Sequence, residues 1–275
     1  PASTAAALSS DLDFPRLATR TVTSPPVFSS DVKLARYIVE SAARELVTIR
    51  EARGTDDDKA LKDAGDAGAQ AHIADLLIEH RPDDAVLSEE AKDSPARLSA
   101  DRVWIIDPLD GTREYSEGRD DWAVHVALWE NGELTVGAVA LGGPDTVLTS
   151  ADGLATIEPA PKLRIAVSRS RAPELVTAVA AALDADLVPM GSAGVKVCAT
   201  VRGDVDLYVH GGGQFEWDSA APIAVARAAG FHTSRLDGSP MLYNQPDPYL
   251  PDLVVCAPEL APRVLAAIAD AMPSE

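Results

Sequence analysis

Several features are scarce in this sequence, and each scarcity narrows the class of protein. Its 275 residues include only two cysteines, Cys198 and Cys256. Two cysteines are too few for a disulfide framework, so they indicate a reducing compartment. No apolar run approaches the roughly 18 residues of a membrane-spanning helix, and the first residues lack the basic segment and apolar core of a secretory signal. We therefore expect a cytoplasmic protein that does not bind a membrane.

Basic residues are also scarce. The chain has 24 Lys and Arg against 43 Asp and Glu, which gives a formal net charge of −19. Such a surface repels the phosphate backbone of nucleic acids, which argues against duplex nucleic acid as a partner. It would also repel a phosphorylated small molecule, unless cations bound in a carboxylate-lined site offset the charge.

The order of the predicted elements divides the chain into three parts. Residues 1–29 are rich in Ala, Ser, Thr and Pro, and we interpret them as a loose arm. Residues 30–158 read as helices followed by strands in hairpins, which predicts an α+β part with an antiparallel sheet. Pro159 and Pro161 mark a boundary, and over residues 159–275 strands and helices alternate as in α/β proteins. The fold class is therefore α/β.

Periodicity and turn residues place the individual elements. In the first part they predict helices from about residue 30 to the residues before Gly54 and from Asp66 to Arg81, with a charged loop over residues 55–59 between them. They predict a polar loop over residues 113–121 and hairpins around Asn131-Gly132 and Asp152-Gly153, the latter using residues 154–157 as its second strand. In the second part they predict strands over residues 163–167, 187–189, 205–209 and 254–256, and helices over residues 173–183, 193–201, 218–229 and 258–272.

One stretch, VWIIDPLDGT at residues 103–112, has the pattern of a functional loop. Four apolar residues predict a buried strand that leads into Asp107. Asp110 follows within one turn, and Gly111 lets the backbone bend sharply. Mg²⁺ prefers oxygen ligands such as these carboxylates, together with substrate phosphate. The amides of Gly111 and Thr112 would be anion donors if a helix or turn starts there, so one loop could hold both a metal and a phosphate.

Three other acidic residues occur where the predicted chain direction changes: Asp66, Glu89 and Asp218. Each also has a purely structural explanation. Asp66 would be a favourable charge at a helix start, Glu89 a solvated loop carboxylate, and Asp218 a helix N-cap before an Ala-rich run. Taken singly, none of them indicates a site.

Taken together, the motifs DPLDGT, SEE about twenty residues upstream, and the distant WDSAAP closely resemble the inositol monophosphatase superfamily of Mg²⁺-dependent, lithium-sensitive phosphatases. The similarity runs from about Leu34 to the end of the chain. DGTREY and GSAGVKVCATVRGDVDLYVH look most like its CysQ branch, whose members are 3'(2'),5'-bisphosphate nucleotidases of sulfate assimilation. The resemblance implies a layered αβαβα sandwich, with a metal-binding first part and a second part that sets substrate specificity.

The resemblance also implies roles for particular residues. Two or three Mg²⁺ ions are expected: Glu89, Asp107 and the carbonyl of Leu109 would hold one, and Asp107, Asp110 and Asp218 a second. Thr112 and Asp66 would activate the attacking water. The family often has Pro-Val-Thr-x-x-Asp before this aspartate, whereas this chain has KDAGDAGAQ. The choice of Asp66 over Asp63 therefore rests on spacing, because Asp66 lies 23 positions before Glu89.

Substrate contacts are expected in both parts of the chain. Ser192 and Lys196 are candidates for the phosphate or ribose of a nucleotide, although a helix start and a surface lysine would explain them equally well. Glu216 is a candidate for a sugar hydroxyl, and Tyr115 or Trp217 for a base, whereas His125 reads as structural. The full expected set of substrate-binding residues is Glu89, Leu109, Asp110, Gly111, Thr112, Ser192, Lys196, Glu216 and Asp218.

The favoured interpretation is a Mg²⁺-dependent hydrolase that removes the 3'-phosphate of 3'-phosphoadenosine 5'-phosphate, a small phosphorylated nucleotide, to give AMP; a homodimer is one possible state. Inositol monophosphate or fructose 1,6-bisphosphate is the alternative substrate. A protein that keeps the metal site as a regulatory module with weak turnover is an alternative of a different class. A covalent aspartyl-phosphate mechanism is disfavoured, because it usually uses two aspartates two positions apart, whereas Asp107 and Asp110 are three apart.

Overall fold

A computed structural model describes residues 28–152, 160–170 and 172–272 of the chain. The predicted loose arm, residues 1–29, lies almost entirely outside this part. The second strand of the hairpin predicted around Asp152-Gly153 also lies outside it.

Two long helices open the described chain: α1, Asp31–Arg53, and α2, Asp58–His80. The first has the predicted bounds and ends at Gly54. The charged loop predicted over residues 55–59 is present over residues 55–57, but the prediction that the second helix starts after Asp66 is wrong. The helix begins eight residues earlier, because the Asp57 side chain accepts a hydrogen bond from the Ala60 amide and Leu61 is buried. Asp66 is consequently inside the helix.

The first sheet has five strands in the order β1-β2-β3-β4-β5. They are Ala85–Ser88, Arg102–Asp110, Ala123–Glu130, Glu133–Leu141 and Val147–Thr149, and a short 3-10 helix, Pro95–Ser99, lies between the first two. Strands β1 and β2 are parallel and the other pairs are antiparallel. The hairpin predicted at Asn131-Gly132 is confirmed, and both residues have the positive φ that such a tight turn requires.

Strand β2 continues beyond Asp107, through Pro108, to Asp110 and so includes the acidic motif. Its register with β3 shifts between Asp107 and Asp110, and a bulge of this kind turns the side chains locally. Gly111 follows with φ of +88°, and the short helix α3, Thr112–Ser116, begins there. The polar loop predicted over residues 113–121 therefore contains a helical turn at its start.

The second part of the chain alternates strands and helices as predicted. The strands are β6 Arg164–Ser168, β7 Asp186–Met190, β8 Leu207–His210, β9 Gln214–Phe215, β10 His232–Ser234, β11 Tyr249–Leu250 and β12 Leu253–Cys256. The helices are α4 Glu174–Leu183, α5 Ala193–Arg202, α6 Glu216–Ala228 and α7 Ala261–Ala271. The second five-stranded sheet has the order β10-β12-β8-β6-β7, and β9 pairs with β11. Asp218 is the third residue of α6 and not its N-cap.

These elements stack in five layers, which confirms the expected αβαβα sandwich. Helices α1 and α2 cover one face of the first sheet, and α4 and α7 cover the outer face of the second. Helices α5 and α6 fill the space between the sheets. Trp104 and Ile106 point toward α1 and α2, whereas Val103 and Ile105 join the core shared with α5 and α6. Burial on both faces explains why this strand is continuously apolar.

Close packing of α6 on the first sheet depends on a glycine. A Cβ at Gly137 in β4 would lie 2.5 Å from the carbonyl oxygen of Ala221 in α6. The helix can therefore lie directly against the strand, and this contact carries Asp218, at the start of α6, toward the end of β2. None of the helices in the described ranges is long and apolar enough to cross a membrane.

Candidate active site

The carboxylates that were predicted to bind metal converge where β1 and β2 end. Glu89 directly follows β1, and its amide donates to the carbonyl of Ile106, 3.3 Å away. Because β1 and β2 are parallel, with Ser88 opposite Ile106, this places Glu89 beside Asp107 at the ends of the two strands. Asp110 follows in the bulged end of β2, and Asp218 reaches the group from the first turn of α6. Residues from three separate segments thus form one acidic cluster.

Partial desolvation and mutual repulsion raise the pKa values of this cluster. Desolvation and the charge of Asp218 raise the pKa of Glu89 to about 7. Desolvation and the charge of Asp110 raise the pKa of Asp218 to about 7. Burial, followed by repulsion from Asp110 and Glu89, raises the pKa of Asp107 well above its usual value. Raised pKa values mean that the charged forms of these carboxyl groups lack enough nearby positive charge. A bound cation would supply that charge and lower the pKa values.

The hydrogen bonding of Asp107 also indicates a cation site. Its Oδ1 accepts from the amide of Leu109 at 3.0 Å, but its buried Oδ2 has no hydrogen-bond partner. Asp107, Asp110 and His125 can each place one ligand atom within 4.8 Å of the others. An unpaired buried carboxylate oxygen beside further oxygen donors fits a hard divalent cation.

Asp110 also joins the first sheet to the start of helix α5, which packs between the two sheets. Its carboxylate accepts hydrogen bonds from the Ser192 hydroxyl and from the amides of Ala193 and Gly194, at 3.2 and 2.7 Å for the amides. These groups form the N-terminus of α5, where backbone amides and the helix dipole favour a negative charge. Ser192 caps the same helix by accepting from the Val195 amide.

His125 belongs to the cluster, although the sequence suggested a purely structural role. It is fully buried in β3, directly opposite Asp107 in the sheet register. Its Nδ1 lies 3.1 Å from the carbonyl oxygen of Trp217, which can only accept, so Nδ1 carries the proton. Its Nε2 lies 3.3 Å from Oδ2 of Asp110. Burial lowers the pKa of His125, while Asp110 acts in the opposite direction.

Thr112 and Asp66 lie on adjoining elements near the cluster. The Thr112 hydroxyl donates to the carbonyl of Leu109 at 3.1 Å, and this is the carbonyl expected to bind metal. Asp66 is on α2, next to Gly65, where an added Cβ would come within 3.0 Å of both Leu109 and Tyr115. Desolvation and the charges of Glu90 and Asp63 raise the pKa of Asp66 to about 7.

A cavity of about 430 Å³ opens beside the acidic cluster. Its wall includes Asp110, Gly111, Ser192, Lys196 and Asp218 from the predicted set, and Glu114, Val167, Ser168, Pro173, Ala193, Tyr208, Val209, His210, Gly213, Gln214 and Phe215. A cavity of this size accommodates a ligand as large as a nucleotide or a sugar phosphate.

Lys196 is buried, so the alternative explanation of this residue as a surface lysine is wrong. Only 7% of it is exposed, and its Nζ donates to the carbonyls of Gly191 and Ser192 at 3.2 and 2.6 Å. The same nitrogen lies 5.4 Å from the centre of the Tyr208 ring. Burial lowers the pKa of Lys196, while Asp110 and the other acidic groups around the cavity act in the opposite direction.

Comparison with known proteins decides the family. The model of the inositol monophosphatase family matches residues 25–272, which is most of the chain. This chain belongs to the inositol monophosphatase family.

Relatives of this family member carry more specific names. A protein of Mycobacterium bovis called 3'-phosphoadenosine 5'-phosphate phosphatase is 52% identical over 240 residues, covering 84% of this chain and 90% of that protein. The crystal structure of CysQ from Bacteroides thetaiotaomicron matches with a TM-score of 0.71 and 26% identity, covering 84% of this chain and 98% of that one. A staphylococcal inositol monophosphatase II with bound 2'AMP has a TM-score of 0.72 at 19% identity, covering 87% and 95%, and it supports the fold alone.

Glu216 has different surroundings from the other predicted residues of this inositol monophosphatase family member. It is 1% exposed and is not part of the cavity wall. Its two carboxylate oxygens accept hydrogen bonds from the backbone amides of Asn244 and Gln245, at 2.6 and 2.7 Å. These bonds give Glu216 a structural role, in which it anchors the backbone of Asn244 and Gln245. This role is an alternative to the predicted contact with a sugar hydroxyl.

Several residues of the site were missed by sequence reasoning. His125 could not be found from the Asn131-Gly132 turn, because that turn joins β3 to β4, whereas the pairing of His125 with Asp107 depends on the connection from β2 through α3 to β3. Phe215 lies two residues before the start of the WDSAAP motif, is 43% exposed, and stacks on Trp217 with ring centres 4.8 Å apart. Glu114 and Tyr208 also line the cavity. They lie within the segments DGTREY and GSAGVKVCATVRGDVDLYVH, but neither segment by itself indicates that these side chains face a cavity.

Proposed function

We propose that this chain is a Mg²⁺-dependent phosphatase that hydrolyses the 3'-phosphate of 3'-phosphoadenosine 5'-phosphate, giving AMP and inorganic phosphate. The observation that carries this proposal is the convergence of Glu89, Asp107, Asp110 and Asp218 beside a cavity of about 430 Å³. The substrate is taken from the name of the mycobacterial relative, which is 52% identical.

In this proposal, Glu89, Asp107 and the Leu109 carbonyl hold one Mg²⁺, and Asp107, Asp110 and Asp218 hold a second. A third ion near Asp66 is an optional part of the scheme. The unpaired Oδ2 of Asp107 and the raised pKa values of its neighbours support this donor set. When bound, such ions supply Lewis acidity to the phosphate and to the attacking water.

The residues of the chain orient the reactants and move the proton. In this proposal, the backbone amides of Gly111 and Thr112, at the start of α3, bind oxygens of the scissile phosphate. Asp66 and the Thr112 hydroxyl orient the water, and Asp66 accepts its proton. A carboxylate with a pKa of about 7 is suited to that task, because a general base works best when its pKa is near the working pH.

Groups in the cavity wall supply recognition of the nucleotide. Lys196 is a buried cation beside the acidic cluster, and together with Ser192 it can attract the phosphate or ribose. Phe215 offers an exposed aromatic ring, in place of Tyr115, which is fully buried. A base could stack on such a ring, a contact worth roughly 1–3 kcal/mol in other nucleotide-binding proteins.

A direct comparison of substrates tests the proposal. Phosphate release with Mg²⁺ should be measured for 3'-phosphoadenosine 5'-phosphate, inositol 1-phosphate and fructose 1,6-bisphosphate. We expect the nucleotide to have the highest kcat/KM. A higher value for inositol or fructose phosphate would favour the alternative substrates, and turnover near background for all three would favour a regulatory metal-binding role.

A further inference from the structure

A buried arginine connects the loop after Glu89 to a distant segment of the chain. Arg97, in the 3-10 helix between β1 and β2, is 1% exposed. Its guanidinium donates to the side-chain oxygen of Asn244 at 2.7 Å and to the carbonyl of Gln245 at 2.9 Å. The side-chain amide of Asn244 donates a hydrogen bond to the backbone carbonyl of Arg97 at 3.3 Å. On its other side, Arg97 forms an ion pair with Asp93 at 2.8 Å.

The same two residues are held from the opposite side by Glu216. Its carboxylate accepts from both backbone amides, of Asn244 and Gln245, and its own amide donates to the carbonyl of Pro248 at 2.8 Å. Asn244 is 6% exposed and has a φ of +58°, so its backbone is held in a conformation that few residues other than glycine adopt. We refer to Arg97, Asn244, Gln245 and Glu216 as the clamp.

The clamp joins two segments that carry metal-ligand candidates. Asp93 and Arg97 follow Glu89 in one loop, and Glu216 is two residues before Asp218 in α6. Glu89 and Asp218 repel one another across the site. Two repelling carboxylates stay at a fixed separation in the metal-free protein only if other contacts hold their segments together. The hydrogen bonds of the clamp provide such contacts. Three of its four residues, Arg97, Asn244 and Glu216, are buried, and hydrogen bonds between buried groups are strong.

The following inference rests on the proposed function. We propose that Arg97 and Glu216 are positioning residues, which set the separation of the metal ligands Glu89 and Asp218. In this inference Glu216 does not contact the substrate. Both oxygens of Glu216 are already bonded and almost no part of the residue is exposed. A sugar hydroxyl could reach it only by displacing an amide of the clamp. Contacts to the sugar must then come from the cavity wall.

The test combines a binding measurement with kinetics. Glu216→Gln and Arg97→Lys should be titrated with MgCl₂ by isothermal calorimetry without substrate, and assayed with 3'-phosphoadenosine 5'-phosphate. We expect Mg²⁺ affinity to fall roughly tenfold, as is usual when a residue that orients a metal ligand is lost. The kcat should fall with it, whereas KM at saturating Mg²⁺ should stay within about twofold of the unmodified protein, because Glu216 does not touch the substrate.

A matched control is available at the other end of β2. Arg102 forms an equally extensive network with Asp84 at 2.9 Å, Asp31 at 3.1 Å and Glu130. Arg102→Lys should lower the melting temperature without changing Mg²⁺ affinity. If Glu216→Gln or Arg97→Lys does not fold, Asn244→Gly serves as a milder variant, since it removes the side-chain bonds and keeps the positive φ. It too should weaken Mg²⁺ binding.

The outcomes separate this inference from the proposed function. An increase in KM with unchanged Mg²⁺ affinity in Glu216→Gln would overturn the positioning role and restore the sugar contact. Equal loss of Mg²⁺ affinity in Arg102→Lys would also overturn it, because the effect would then be general destabilisation. If the unmodified protein does not release phosphate from the nucleotide, the proposed function fails, while the calorimetric result still decides the role of the clamp.

Discussion

The Ser192 hydroxyl donates a hydrogen bond to Oδ2 of Asp110, joining residues that are 82 positions apart. Asp110 belongs to the first sheet and Ser192 caps α5, which packs between the sheets. The bond therefore fixes the direction of a metal-ligand candidate by means of the second half of the fold. Stability and turnover should respond together when it is removed.

Replacing Ser192 tests this link. Ser192→Ala removes the hydrogen bond to Asp110 and the N-cap, and it leaves a Cβ at a φ of +47°. We expect a loss of roughly 1–2 kcal/mol in unfolding free energy and a lower kcat. Ser192→Gly removes the same hydroxyl but relieves the backbone strain, so it should be the more stable of the two. Urea denaturation and phosphate release measure both effects; equal stability of the two variants would contradict the argument from φ.

Gly194→Ala tests the contact between α5 and His125. An added Cβ would lie 1.9 Å from Nε2 of His125, in a position where neither the helix nor the strand can easily move. We expect a loss of roughly 1–3 kcal/mol in stability, the usual cost of overpacking. Gly212→Ala is the control, because the nearest atoms to its added Cβ are 3.7 Å away. Comparable melting temperatures for the two variants would show that the site is looser than the distances indicate.

Asp110→Asn should affect catalysis more than folding. It removes one charge from the proposed metal ligands and keeps the shape of the side chain, although its amide nitrogen can no longer accept hydrogen bonds from the start of α5. We expect kcat to fall by roughly 100-fold or more, as happens when a preorganised charge-stabilising group is lost, with circular dichroism unchanged. Asp120→Asn is a suitable control, because the Asp120 side chain is 84% exposed. Retention of full activity in Asp110→Asn would remove this residue from the proposed metal site.

Stability without metal should decrease as the pH rises. The pKa values of Glu89 and Asp218 are raised to about 7, so between their unfolded values near 4 and about 7 the folded protein binds more protons than the unfolded chain. Folding free energy is therefore lost across that window. In EDTA, we expect the melting temperature to fall from pH 5 to pH 8. The increase produced by MgCl₂ should be larger at pH 8, because the ion binds the deprotonated carboxylates.

Much of the fold follows from local patterns in the sequence. The periodicity of α1, the Asn131-Gly132 turn and the alternation of strands and helices after Pro161 are properties of short segments, and the structure confirms them. The start of α2 was missed because half of residues 58–65 are charged and Leu61 is the one large apolar residue among them. The capping bond to Asp57 is a single contact that periodicity does not register. Helix α3 is too short to have a periodicity of its own, and it forms because Tyr115 is buried with its hydroxyl bonded to the Leu46 carbonyl at 2.7 Å.

The sequence by itself indicated which residues carry the proposed chemistry, because the motifs DPLDGT, SEE and WDSAAP are short segments that can be recognised without knowing the fold. Only the tertiary structure decided how they meet. The pairing of β1 with β2 brings Glu89 to Asp107, the packing of α6 on Gly137 brings in Asp218, and the start of α5 brings Ser192 to Asp110. It also decided the surroundings of Glu216, His125 and Lys196. Glu216 and His125 have partners tens of residues away, and Lys196 is buried. Such contacts and burial exist only once the layers of the fold have packed.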